Sequence, residues 1–203
     1  MSSEDDVSSE NEHQESIHSG SGLAAEKARR LAQLDDLRSA GRNPYPYRFD
    51  RTSTLAELRA AHGSLEPGTE TDTPVAVAGR IMLSRDSGKL VFATMRDRDD
   101  EVQLFVSKAI VGDTAFDEFK TLDLGDWVGA HGAVMTTRKG ELSVKVERFE
   151  LLSKAVRPLP DKWHGITDPD TRFRQRYADL MVNDEARRTF RVRHSIIASF
   201  RRT

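Results

Sequence analysis

The stretch that decides the fold is Val75–Asp97, VAVAGRIMLSRDSGKLVFATMRD. On both sides of its central Ser-Gly-Lys, apolar residues alternate with other side chains, which is typical of half-buried strands joined by a short loop. In the second strand Val91, Ala93 and Met95 fall on one face, and Phe92 falls on the other. The alternation therefore predicts two strands that fill a core from one side and point a phenylalanine outward.

The residues that follow continue this pattern. A third strand is predicted at Val102–Val106, a helix at Ile110–Leu122, and two further strands at Trp127–Thr136 and Glu141–Leu152. Three strands, a helix and two strands is the order of an OB-fold, a small five-stranded barrel whose outer face binds single-stranded nucleic acid or sugars. Periodicity alone also permits an SH3-like barrel. The predicted fold class is mainly β with helices, built on an OB-fold barrel.

Before the barrel, the composition changes abruptly. Residues 1–22 contain six acidic residues and no Lys or Arg, with almost nothing to bury, which predicts a disordered acidic tail. Apolar residues at helical spacing then predict a helix from Leu23 that stops at Gly41. Thr54 and Glu57 form a capping-box pattern that predicts a second, short helix over 55–61. Residues 23–73 are thus a helical extension in front of a barrel domain at 74–152.

Beyond the barrel the sequence predicts a linker over 153–170 and a helical segment over 171–203. Thr171 is the predicted cap of a helix that contains Phe173 and Tyr177. Asn183 is the predicted cap of a longer helix, Asp184–Arg202, whose first-turn acids suit the helix dipole. This last helix has an apolar stripe that needs a partner to cover it.

Composition restricts the class of protein. The 203 residues include no cysteine, which excludes disulfides and thiolate metal sites and fits a reducing cytoplasm. The sequence shows neither an apolar run of transmembrane length nor a signal peptide. The formal net charge is −2, but residues 153–203 hold twelve basic and six acidic residues, which suggests a polyanion or an acidic protein surface as partner.

The outward side chains of the second and third strands form a candidate nucleic-acid site. Phe92 is suited to stack on a base, and the amide of the outward Gln103 is suited to donate to one edge atom and accept from another. The connecting turns supply cations for phosphates: Arg85, Lys89, Arg138 and Lys139. The alternative is that Phe92 packs under the N-terminal helix and Gln103 is an ordinary surface residue.

Charge favours a local contact over general polyanion binding. Residues 74–152 contain eleven basic and thirteen acidic side chains, so the barrel has no excess of positive charge to attract a phosphate backbone. No phosphate-binding loop, dinucleotide-binding motif or nucleophile elbow is present. The sequence therefore predicts no catalytic, cofactor-binding or metal-binding residue in this chain.

Two phrases, RPLPDKWHG at Arg157–Gly165 and RFRQRYADL at Arg172–Leu180, closely resemble the connection between the anticodon-binding and catalytic domains of class II lysyl-tRNA synthetases. The strands VAVAGRIMLSRDSGKLVFATMRD and EVQLFVSK also resemble those of that family's OB domain. The resemblance implies recognition of the UUU anticodon of lysine tRNA. It implies that Phe92 stacks on the middle uridine, that Arg85 and Gln103 hydrogen-bond that base, and that Glu141 contacts a neighbouring anticodon base.

The resemblance also implies a cytoplasmic, homodimeric enzyme that joins lysine to tRNA with ATP and Mg²⁺. Residues 184–202 resemble the motif 1 helix of the class II dimer interface, and the chain ends before the motifs that hold ATP, lysine and magnesium. We therefore expect this chain alone to be inactive, to hold no cofactor and to lack a complete dimer interface. Two alternatives remain: a non-catalytic OB-fold protein that binds a protein partner, and part of a lysyltransferase–synthetase fusion, against which the acidic N-terminus argues.

Overall fold

A computed structural model describes residues 5–160 and 166–202, with side chains from Gly22 onward. The chain forms two compact units, Met1–Pro158 and Leu159–Thr203. In chain order the elements are α1 Asp5–Ser39, α2 Leu55–His62, β1 Glu70–Asp86, β2 Leu90–Arg96, β3 Glu101–Ser107, α3 Lys108–Val111, α4 Asp113–Lys120, β4 Trp127–Thr136, β5 Leu142–Ser153, α5 Pro169–Arg174, α6 Arg176–Val182 and α7 Asp184–Arg202.

The five strands close into a barrel in the order β1-β2-β3-β5-β4. The β3–β5 pair is parallel and every other neighbouring pair is antiparallel. This confirms the predicted sequence of three strands, a helical segment and two strands. Val91, Ala93 and Met95, which the alternation had assigned to the interior, are buried there, together with Leu104 of β3 and Val144 of β5.

One glycine allows the closest approach between strands. The pairing register of β4 with β5 shifts between His131 and Gly132. A Cβ atom built on Gly132 would lie only 1.9 Å from the Lys145 carbonyl oxygen. Since no real side chain tolerates that distance, any larger residue would force β4 and β5 apart.

The helical segment between β3 and β4 differs from the prediction. A single helix was expected over 110–122, but the structure has two helices, α3 and α4, that are separated by Gly112. Gly112 has a φ of 83°, a left-handed value that breaks the helical hydrogen-bond ladder and that favours glycine. The second helix buries Phe116 and Phe119 against the barrel core.

The first helix begins at Asp5, ahead of the predicted helix start at Leu23 and within the segment that was predicted to be disordered; residues 1–4 lie outside the described part. The prediction of disorder relied on the lack of apolar side chains. A helix, however, satisfies its backbone hydrogen bonds locally and continues through a polar sequence without burying it. The end of α1 was predicted well, since Gly41 follows it with a φ of 71°.

The capping box before α2 is confirmed. The Thr54 hydroxyl accepts from the Glu57 backbone N–H at 3.2 Å, and the Glu57 carboxylate accepts from the Thr54 backbone N–H at 2.8 Å. Both bonds satisfy backbone donors that the first helical turn leaves unpaired. Leu55 and Leu58 then pack against the barrel core.

A buried ionic network fixes α1 and the chain after β5 to the barrel. Lys154 Nζ donates to Asp123 Oδ2 at 2.5 Å and to Asp126 Oδ2 at 2.9 Å. Arg30, at 4% exposure, donates to the Leu124 carbonyl oxygen at 3.1 Å. These charges lie in the protein interior, where an ion pair is retained only if each charge is matched.

The second unit confirms one predicted cap and corrects the other. Asn183 Oδ1 accepts from the Ala186 backbone N–H at 3.0 Å at the start of α7. The preceding helix is capped by Asp168, which accepts from the Thr171 N–H at 2.7 Å, and not by Thr171. Pro169 fits the first helical position because it needs no hydrogen bond there. This helix then breaks at Gln175 into α5 and α6.

The domain boundaries keep their status as predictions. The predicted linker over 153–170 overlaps the end of β5 and the start of α5. Lys162, Trp163, His164 and Gly165, which carry part of the resemblance, lie outside the described residues. None of the helices in the described part is both long enough and apolar enough to cross a membrane.

Candidate nucleic-acid interface

Strand pairing brings four side chains into one row on the outer face of the barrel. Arg85 of β1 is paired with Phe92 of β2, Phe92 with Phe105 of β3, and Phe105 with Lys145 of β5. Directly paired residues project from the same face of a sheet. We call these four residues the aromatic row, because its centre is the pair of phenylalanines.

The two rings of the aromatic row contact each other edge to face. The Phe92 and Phe105 centroids are 5.5 Å apart and the ring planes meet at 65°. Both side chains are half-buried, so each ring still presents apolar surface to solvent. The prediction that Phe92 points outward is confirmed. An exposed aromatic surface of this kind is suited to stack on an unpaired base.

A second row, the polar row, lies beside the first. It consists of Leu83, Thr94, Gln103 and Ser143, which are paired in that order across β1, β2, β3 and β5. The Ser143 hydroxyl donates to Gln103 Oε1 at 3.2 Å. Gln103 is half-buried and lies two residues before Phe105 on the same face of β3, so its amide is suited to contact the edge of a base stacked on the aromatic row.

Glu141 lies next to the polar row. It immediately precedes β5 and is two residues before Ser143, and its backbone N–H donates to Thr137 Oγ1 at 3.1 Å. Its side chain is exposed. In the described residues no cation pairs with the Glu141 carboxylate, so this acceptor is available to a ligand beside the Gln103 amide.

The predicted cations do not all converge. Arg85 is exposed and belongs to the aromatic row. Lys89 lies in the β1–β2 turn, while Arg138 and Lys139 lie in the β4–β5 turn, and all three are exposed. Because β5 runs parallel to β3, and β3 antiparallel to β2, these two turns lie at opposite ends of the face. Arg85, Phe92 and Gln103 thus lie in the two adjacent rows, Glu141 lies at the edge of the polar row, and the three turn cations lie at the two ends of the face.

Asp86, next to Arg85 in the chain, is neutralised by a lysine outside the two rows. Asp86 follows Arg85 in the chain, and its carboxylate pairs with Lys120 at 2.5 Å. The hydrogen bond from Lys120 lowers the pKa of Asp86, which keeps Asp86 ionised and its charge compensated by Lys120 rather than by Arg85. In the described part of the chain no carboxylate pairs with Arg85 either, so its charge is available to an anionic ligand.

Sequence reasoning missed Ser143 and Lys145, and it did not assign Phe105 to the site. Lys145 Nζ contacts Glu70 Oε2 at 2.6 Å, so its charge is partly compensated within the face. A signal for the two β5 residues was present: Glu141, Ser143 and Lys145 alternate with buried apolar residues and share one side of the strand.

Acidic side chains near the barrel form contacts within the protein. Among the described residues, no cluster of three or more His, Asp or Glu side chains is arranged to hold a metal ion. The acidic turn after β2 binds protein groups instead, since Asp97 accepts from the backbone N–H groups of Leu55, Asp99 and Asp100. The chemistry of the face is that of stacking, hydrogen bonding and charge.

Comparison with known proteins agrees with this geometry. The tRNA anticodon family, described as an OB-fold nucleic acid binding domain, matches residues 75–152, which excludes the SH3-like alternative. Lysine–tRNA ligase of Synechococcus sp. strain CC9311 is 46% identical over 173 residues, which cover 85% of this chain and 35% of that protein. Lysine–tRNA ligases of Magnetococcus marinus and Prochlorococcus marinus are 47% and 40% identical, over 86% and 90% of this chain. The chain spans about a third of the length of these relatives.

Proposed function

Since the chain contains an OB-fold anticodon-binding domain and matches lysine–tRNA ligases over most of its length, we propose that its barrel recognises the UUU anticodon of lysine tRNA. The observation that carries the proposal is the position of Phe92. Its ring is held against Phe105 at the centre of the outer face, with Arg85 opposite it on β1 and Gln103 beside it on β3.

In this proposal the middle uridine stacks on Phe92. Arg85 and Gln103 donate hydrogen bonds to the carbonyl oxygens of that base, and the Glu141 carboxylate accepts from a neighbouring anticodon base. Loop bases are open to this type of contact because they are unpaired and can be displaced from their stack. Lys89, Arg138 and Lys139 lie farther out and are suited to the phosphates on either side of the anticodon.

Charge balance predicts how the affinity depends on salt. The barrel has eleven basic and thirteen acidic residues over 74–152, so few phosphates are neutralised on binding. We therefore expect a shallow salt dependence and a strong dependence on loop sequence. A general polyanion-binding surface would show the reverse behaviour.

For the whole protein we propose the activity for which the relatives are named, the ligation of lysine to tRNA, which uses ATP. ATP and Mg²⁺ are the cofactors that this activity implies. The role that we assign to this chain within that reaction is recognition of the tRNA, because its barrel matches the anticodon-binding family.

The test is the affinity of the full chain for two RNA hairpins that share one stem. One has the loop of lysine tRNA with UUU, and the other has a scrambled loop of equal length. Fluorescence anisotropy at physiological salt should give clearly tighter binding to the UUU loop. Equal affinity for the two loops would contradict the proposed function and would favour a protein-binding role for the barrel.

A further inference from the structure

Ser143 is a buried hydroxyl on an otherwise exposed face. It is on the outer side of β5, since its neighbours Leu142 and Val144 belong to the barrel core, yet it is 0% exposed. A buried hydroxyl without a hydrogen bond is unfavourable, so its partners determine what it does. Its contacts are Gln103 Oε1 at 3.2 Å and the Glu141 carbonyl oxygen at 3.0 Å.

A serine hydroxyl has one proton and therefore donates fully to only one of these two acceptors. The Glu141 carbonyl oxygen already accepts from the Thr137 backbone N–H at 3.0 Å. Gln103 Oε1 has no donor other than Ser143 within residues 22–160 and 166–202. The Ser143 proton therefore satisfies an otherwise unpaired acceptor when it is donated to Gln103 Oε1, but not when it is donated to the Glu141 carbonyl oxygen.

We infer that Ser143 is a positioning residue that fixes the orientation of the Gln103 amide and thereby sets base specificity. With Oε1 held toward Ser143, the Nε2 group of Gln103 faces outward as a pure donor. The sequence had suggested an amide that both donates and accepts, but its oxygen accepts from Ser143 and is thereby turned away from the ligand.

An outward donor distinguishes uracil from cytosine. At the same ring position uracil has a carbonyl oxygen, which accepts from Nε2, and cytosine has an amino group, which does not. If the amide were free to rotate, it would present its oxygen to cytosine and the two bases would bind with similar affinity. Ser143 contacts no base in this scheme and acts only through Gln103. The inference rests on the proposed anticodon function.

The test compares binding of UUU and UCU hairpins to the parent chain and to Ser143→Ala, with Ser107→Ala as the matched control. The Ser107 hydroxyl makes no hydrogen bond to the helix that it precedes. We expect the parent and Ser107→Ala to prefer UUU over UCU by about tenfold, the scale of one edge contact. Ser143→Ala should lose most of that preference and keep its affinity for UUU within about threefold.

A parent chain that prefers UUU, together with a Ser143→Ala variant of unchanged preference, would overturn this inference and leave the anticodon function standing. A parent chain with no preference for UUU over a scrambled loop would overturn both. NMR of the unsubstituted, RNA-free chain provides a test that does not depend on folding of the variant. The Gln103 side-chain amide protons should exchange with water as exposed groups do, and protected protons would show that the nitrogen faces Ser143, contrary to the inference.

Discussion

Phe92 and Phe105 are paired across β2 and β3, and their rings meet at 65° with centroids 5.5 Å apart. An edge-to-face contact is favourable because the positive ring edge faces the negative ring face. Phe105 therefore limits the orientations that Phe92 can adopt before RNA arrives. The stacking surface is formed in the free protein, so binding does not need to order it.

Truncation of Phe92 should weaken RNA binding without unfolding the barrel. Phe92→Ala removes the ring on which we propose the middle uridine stacks, and the expected loss is roughly 1–3 kcal/mol of binding free energy. Anisotropy titration with the UUU hairpin measures this loss. The thermal unfolding midpoint should change little, because Phe92 is half-buried on the outer face and is not part of the core.

Phe173→Ala is the matched control for this substitution. Phe173 is 74% exposed on α5 and lies outside the barrel, so the same chemical change should leave the affinity for the hairpin unchanged. Equal losses from Phe92→Ala and Phe173→Ala would show that the outer face has been placed wrongly.

Release of Lys145 from its partner should strengthen phosphate binding. Glu70→Gln removes the carboxylate that contacts Lys145 Nζ at 2.6 Å, which frees a cation of the aromatic row. We expect tighter binding to both the UUU and the scrambled hairpin. The slope of log affinity against log salt should steepen by about 0.7, the value for one additional phosphate contact on a single strand.

Asp72→Asn separates this effect from a general change of charge. Asp72 is exposed on the same strand as Glu70 and pairs with no cation in the described residues. Its neutralisation changes net charge equally but releases no lysine. If Asp72→Asn and Glu70→Gln steepened the salt slope equally, the contact between Glu70 and Lys145 would have no part in it.

Lys154 should be essential for stability. Lys154→Met leaves Asp123 and the fully buried Asp126 without their shared cation, and loss of one partner of a buried ion pair costs about 3–5 kcal/mol. Urea unfolding measures the change. Lys139→Met, in an exposed turn, should leave the unfolding free energy within about 0.5 kcal/mol of the parent. A small effect at Lys154 would mean that water reaches the two aspartates.

Acid should destabilise the fold through Glu26, whose carboxylate pairs with Arg29 and Arg30 on the same helix. Hydrogen bonds from Arg29 and then Arg30 lower the pKa of Glu26 from 4.5 to about 2. Between these two values the unfolded chain binds the proton more readily than the folded chain, so the free energy of unfolding falls as pH falls through this range. Glu26→Gln should be less stable than the parent at neutral pH and should lose less stability on acidification from about pH 4.5 to about pH 2.

Urea midpoints of the parent and Glu26→Gln at several pH values give this difference directly. Asp35→Asn, on the same helix with a side chain 75% exposed, is the control and should follow the parent profile. If Glu26→Gln and the parent lost stability in parallel below pH 4.5, the ion pairs of Glu26 with Arg29 and Arg30 would not contribute to the acid dependence of stability.

The parts of this structure that could be predicted from sequence are those that depend on local periodicity. Alternation alone placed Val91 and Met95 inside and Phe92 outside, and the Thr54–Glu57 and Asn183 caps followed from residue type and spacing. The break at Gly112 also had a local signal, since glycine inside a helical pattern weakens it. The start of α1 had none, because nothing in that segment needs to be buried.

Strand register could not be predicted in the same way. That Phe92 lies opposite Phe105, and Gln103 opposite Ser143, depends on which strands pair and at which residue. The network of Lys154, Asp123 and Asp126 likewise joins residues that are distant in the chain. Lysine and aspartate are typical of exposed positions, and only the tertiary structure shows that these three charges are buried together.

The most direct test of the central claim is an NMR titration of the isotope-labelled full chain with the UUU hairpin. The account predicts that the backbone amides of Phe92, Gln103 and Phe105 and the side-chain amide of Gln103 shift or broaden most. The scrambled hairpin should perturb them far less. Perturbations confined to the basic helix α7, or the same across the barrel for both hairpins, would contradict recognition of the anticodon by the outer face.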